Sequence, residues 1–76
     1  MNKDIFEHKW DRVRGEVRGW WGQLTEEDLD KVDGKFEVFI ALLREKYGYS
    51  RVRAVKEIDR HFEEYDVQIK KYISIR

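Results

Sequence analysis

Catalysis or metal binding in this 76-residue chain would have to be built on few side chains: His8 and His61, the hydroxyls of Thr25, Ser50 and Ser74, and the acids between positions 26 and 33. Nucleophilic catalysis needs a hydroxyl held beside an oriented base. Neither histidine carries a carboxylate–His–Ser pattern around it, and Thr25 and Ser50 both stand where a helix should begin, which makes them caps. The acids Glu26, Glu27, Asp28, Asp30 and Asp33 invite comparison with a calcium loop, which takes acids at positions one, three and five and glycine at six. Counting from Asp28, position three is Asp30, but position five is Val32 and position six is Asp33. The pattern fails, and acids in a first helical turn, complementing the helix dipole, explain the run. Two separate histidines do not make a zinc site. With no Cys there is no disulfide, thiolate or zinc–sulfur chemistry, and no glycine-rich phosphate loop occurs. The expectation is a protein that is not an enzyme and holds no cofactor or metal.

Binding surfaces are the remaining possibility. Lys9, Arg12, Arg14 and Arg18 crowd one segment, and Arg51, Arg53, Lys56 and Arg60 another, with Trp and Tyr nearby. Bases interleaved with aromatics suit a nucleic acid. Yet Glu7, Asp11 and Glu16 dilute the first group, and Glu57 and Asp59 the second, as on a solvated helix face. Nucleic-acid contact through Lys9, Arg12, Arg14, Arg18, Arg51, Arg53 and Lys56 is therefore the alternative expectation. A second surface is a stripe of small residues: His8, Gly15 and Gly22 are spaced by seven, with Gly19 beside them. Glycine inside a helix costs about 1 kcal/mol against alanine. Either a neighbouring helix packs closely there, or the cost is simply tolerated, or a partner protein, or second copy, approaches.

These residues must be carried by helices. Phe6, Trp10, Val13, Val17, Trp20, Trp21 and Leu24 recur at steps of three and four, predicting a first helix from about Lys3 to Trp21, closed by Gly22 with positive φ. Thr25 and Asp28 resemble a capping box opening a second segment with Leu29 and Val32. Asp33-Gly34 is a poor helix interior, so a bend is expected before a third segment with Phe36, Phe39, Ile40, Leu43 and Tyr47. Val38, Ala41 and Leu42 widen its apolar face, marking it as the most buried helix. Gly48 should close it with positive φ. Ser50 should cap a fourth, striped by Val52, Val55, Ile58, Phe62, Tyr65 and Ile69, with Tyr72 and Ile73 continuing it. The end, Tyr72-Ile73-Ser74-Ile75-Arg76, is β-prone and expected to fray. Trp10, Val17, Phe36, Phe39, Leu43 and Phe62 are the expected core. The aromatic–Gly–hydroxyl links at 21–25 and 47–50 form a weak repeat that suggests two packed hairpins.

Composition agrees. Charged residues make up 42% and hydrophobic residues 41%, and aromatics at 14% oppose disorder. Sixteen bases balance sixteen acids, so no net field draws the chain to nucleic acid or membrane. The complete absence of Pro suits long helices. No apolar run reaches the roughly 18 residues of a membrane span, and the first residues lack a secretory apolar core, leading to the expectation of a cytoplasmic protein without membrane partners.

Trp21-Gly22-Gln23-Leu24-Thr25-Glu26-Glu27-Asp28-Leu29 and Tyr47-Gly48-Tyr49-Ser50, with Met1-Asn2-Lys3-Asp4, Trp10, Gly15-Glu16-Val17, Gly34-Lys35 and Arg44-Glu45-Lys46, resemble the CsbD-like general stress-response family of small bacterial proteins. The resemblance covers most of residues 1–60. It implies an all-α fold, a small bundle of four helices arranged as two crossed hairpins, similar to sterile-alpha-motif-like folds. It also implies expression under stress, a non-enzymatic role through protein contact, self-association or protection, and no cofactor. His8 and Ala41 stand where family members often have Gly. Residues 1–76 are read as one domain, with 66–76 a variable C-terminal extension.

Overall fold

The computed structural model describes the backbone of residues 1–74 and the side chains of residues 1–67. It contains α1 (Lys3–Trp20), α2 (Glu26–Val32), α3 (Phe36–Tyr47) and α4 (Arg51–Ser74), with no strand among the described residues. The fold is all-α, as expected. Helix starts follow local chemistry. The first N–H groups of a helix have no partner within it, and a preceding side-chain oxygen supplies one. Asn2 accepts from the N–H groups of Asp4 and Ile5. Thr25 and Asp28 form a complete capping box for α2. The Ser50 hydroxyl accepts from Arg53 N–H at 3.1 Å.

The bend at Asp33-Gly34 is present and left-handed at both residues, with φ of 45° and 78°. Gly34 is also buried. A Cβ there would sit 3.5 Å from Glu7 Cγ and 3.6 Å from Trp10 Cβ, so the turn lies directly against α1. Gly48 caps α3 at φ 69°, as expected. Gly22 does not have the expected positive φ. The cap of α1 is Trp21, at φ −128° and ψ 86°, whose N–H still bonds Val17 O at 2.8 Å. Trp21 is only 2% exposed. Its non-helical backbone ends the helix while the indole turns inward, so no left-handed glycine is needed.

All six expected core residues are buried. Phe6 sits among them with ring centroids 5.3–5.4 Å from Trp10, Phe36, Phe39 and Phe62, joining α1, α3 and α4. Helix α3 packs against each of the other three. Helix α1 crosses α4: Met1 N pairs with Asp59 at 2.8 Å, Lys9 pairs with Asp66, and Trp20 stacks on His61. Both ends of an 18-residue helix thus meet a short stretch of α4, which side-by-side packing could not achieve.

Two expectations about the apolar faces fail for one angular reason. At 100° per residue, Val52 lies about 120° around α4 from Ile58, whereas Ala54 lies about 40° away. Val52 is accordingly 65% exposed and Ala54 is buried. On α3, Val38 and Ala41 lie about 140° and 160° from Leu43 and are exposed, while Leu42 is half-buried. The β-prone end of α4 is helical through Ser74, and Ile75 and Arg76 lie outside the described residues. The side chains of Ile69, Tyr72 and Ile73 also lie outside them.

Truncating Phe6 to Ala removes the shared ring and is expected to cost about 3–5 kcal/mol, read by denaturant unfolding. Gly34→Val is expected to destabilise by about 1–3 kcal/mol, because the branched side chain meets both positive φ and α1. Gly22→Ala should move the melt by no more than a few tenths of a kcal/mol. Equal effects at the two glycines would contradict these roles.

Candidate functional site

The small-residue stripe of α1 faces solvent. A Cβ at Gly15, Gly19 or Gly22 would meet nothing within 4 Å, and His8 is exposed. The reading in which a neighbouring helix of this chain packs closely on the stripe is therefore overturned. Among the described residues these glycines accommodate no close contact.

The basic candidates are mostly committed to partners within the fold. Arg14 Nη2 lies 2.5 Å from Asp30 and 3.3 Å from Glu26. Arg18 reaches Glu26 at 3.2 Å and donates from Nε to Leu24 O at 3.2 Å. The Arg18 hydrogen bond first, and that of Arg14 next, hold the Glu26 carboxyl below its ordinary range. Arg51 grips Glu37 with two hydrogen bonds of 2.6 and 2.8 Å, joining α4 to α3 and holding the Glu37 carboxyl down. Arg53 lies 4.4 Å over the Tyr49 ring, Lys9 pairs with Asp66, and Arg12 and Lys56 are exposed. The structure places these bases on the surfaces of two crossing helices, with acids between them.

The acidic run has structural uses too. Glu26 and Asp30 tie α2 to α1, and Asp28 closes the capping box with its carboxylate accepting from Thr25 N–H at 3.0 Å. That bond first, then the Thr25 hydroxyl and Lys46 at 3.8 Å, holds the Asp28 carboxyl below its ordinary range. Among the described residues no group of three His, Cys, Asp or Glu side chains could hold a metal. The links of the weak repeat meet: Gln23 N–H donates to Tyr47 Oη at 3.0 Å, and Tyr47 stacks on Tyr49.

Two features were not foreseen as sites. The first is a groove of about 310 Å³ between α2 and α3, floored by Val38, Ala41 and Leu42 and rimmed by Asp28, Lys31, Glu45 and Lys46. Its signal in the sequence was the excess of apolar residues around α3. The second is His61, wedged between Trp20 and Trp21 with Nδ1 buried and without a hydrogen-bond partner among the described residues. The tandem tryptophans and the position next to Phe62 were its only sequence signals.

Comparison with known proteins adds the family. A relative from Pseudomonas aeruginosa, UPF0337 protein PA4738, is 40% identical over 58 residues, covering 76% of this chain and 89% of its own. The chain belongs to the UPF0337 family. UPF0337 protein pc0632 of Protochlamydia amoebophila is 42% identical over 57 residues, 75% of this chain and 86% of that one. UPF0337 protein YjbJ of Escherichia coli strain K12 is 36% identical over 58 residues, with 76% and 84% covered. No family model and no solved structure matches this UPF0337 chain. The family agrees with the CsbD-like resemblance. Among the described residues no helix is long and apolar enough to cross a membrane.

The capping box gives an acid-stability prediction. Because the folded Asp28 pKa is lowered, its contribution is present above the ordinary aspartate range of about 4 and is lost as pH falls through the folded value. Asp28→Asn should therefore flatten the loss of stability below about pH 4. Thr25→Ala should cost about 1 kcal/mol at neutral pH. Urea unfolding across pH checks both.

Proposed function

We propose that this UPF0337 protein is a non-enzymatic general stress-response protein of the bacterial cytoplasm, acting by protein contact, including self-association, through the outer face of α3. One observation carries the reading: α3 is apolar on both sides. Phe36, Phe39, Ile40 and Leu43 are buried inward, while Val38, Ala41 and Leu42 form the groove floor outside. Apolar side chains left together on the outer side of a helix, beside the charged Glu37, Arg44, Glu45 and Lys46, offer an apolar contact to a partner. The mixed rim of two acids and two lysines suits a polar edge around an apolar contact.

The side chains that chemistry would need support the same reading. The Thr25 and Ser50 hydroxyls are committed to helix caps, and His61 is packed between indoles. The stress role rests on the CsbD-like resemblance. For the nucleic-acid alternative, the pairing of Lys9, Arg14, Arg18 and Arg51 with carboxylates argues against strong phosphate binding.

Affinity capture from stressed and unstressed cells, with wild type and Leu42→Glu, tests the proposal. The variant should melt within a few degrees of wild type, because Leu42 is only half-buried, yet lose the proteins recovered under stress. Recovery of the same proteins by Leu42→Glu would reject the α3 face as the contact surface. A nucleic-acid titration should show no steep salt dependence, since few phosphates would be neutralised.

A further inference from the structure

His61 lies on α4 where the end of α1 crosses it. Its ring stacks on Trp20 at 5.0 Å and 18°, and meets the edge of Trp21 at 4.7 Å and 72°. Trp21 packs in turn on Phe39 of α3, and Trp20 on Phe62 and Tyr65 of α4. The imidazole is thus one of the direct contacts that hold the last turn of α1 to the body, and the one among them that can take up a proton. Its side chain is 16% exposed, and Nδ1 is buried with no hydrogen-bond partner among the described residues.

The geometry points to His61 as an acid-sensitive latch: neutral, it closes the seam between the end of α1 and α4, and protonated, it opens that seam and uncovers the Trp20–Trp21 pair. A neutral imidazole leaves Nδ1 as a bare acceptor against the rings. Protonation puts an N–H and a positive charge there with no acceptor, and a buried unsatisfied charged donor is strongly disfavoured.

Among the described residues the neighbouring charges come from α4. Glu57 Oε2 is 4.0 Å from Nε2, too long for a hydrogen bond, and is held by Arg60 Nη2 at 2.8 Å. Glu64 also favours the proton, while Arg60 opposes it. The α1 residues in contact are the two indoles, which carry no charge, although the Trp20 face attracts a cation. Burial is the largest influence and, with Arg60, keeps the His61 pKa below its ordinary value. With the folded pKa lowered, the unfolded chain binds the proton first. Stability is therefore full above about pH 6.5 and falls as pH drops through that value towards the folded pKa.

The test begins with an NMR titration of both histidines in the wild type. His61 should titrate below about 6.5, and hydrogen exchange on acidification should rise at residues 17–21 before it rises in α3. In thermal melts between about pH 7.5 and 5, His61→Phe, which keeps an aromatic wedge and removes the proton, should lose the wild-type fall in Tm over that interval. His8→Gln, at an exposed position, should keep it. A His61 midpoint at or above about 6.5 overturns the latch. So does a His61→Phe melt with the wild-type pH dependence, or acid opening that begins equally in α3. If His61→Phe fails to fold, the wild-type titration and exchange still decide.

Discussion

The ring of Phe6 is the contact on which the bundle depends. It is fully buried, and four aromatic rings from three helices stand 5.3–5.4 Å from its centre. Rings at that separation prefer offset or tilted arrangements, so each neighbour restricts the orientation of the others. Phe6 lies near the start of α1 and Phe62 within α4, so one contact holds the crossing of the chain's outer helices. A domain of this size buries only about 60% of its unfolded surface, which makes such a shared contact a large part of its stability.

What was legible in the sequence was local. Thr25 with Asp28, and Ser50, start helices because their oxygens need reach only three residues. Asp33-Gly34 and Gly48 stop them because their neighbours already disfavour continuation. The core followed from spacing on α1 and on the inner side of α3. The failures arose where the answer depended on another helix. Trp21, rather than Gly22, ends α1 because α3 and α4 offer the indole a place in the core. Val38 and Ala41 are outside because α1 and α4 pack on the Phe36–Phe39–Leu43 side of α3 and α2 leaves a groove over the other. His61 was readable as a partly buried histidine, but its indole partners are some 40 residues away.

Charge shows the same division between local pattern and tertiary use. Net charge is zero, yet residues 23–33 carry five acids against one base. The fold sets Arg14 and Arg18 over Glu26 and Asp30, so the acidic helix leans on a basic stretch of α1. Individually, exposed pairs of this kind contribute little. Together they orient a seven-residue helix that is too short to hold itself.

The length of α4 bears on how the molecule tumbles. Twenty-four helical residues make a rod of about 36 Å, and the molecule measures 42 × 24 × 23 Å. A rod of that length exceeds the roughly 33 Å diagonal of the cross-section, so α4 cannot lie wholly across the molecule and must run partly along its long axis, while α1 crosses it. Rotational diffusion is therefore anisotropic, and amide vectors in the two helices sample different correlation times. Relaxation rates interpreted with one isotropic time would therefore read the difference in helix direction as a difference in internal motion.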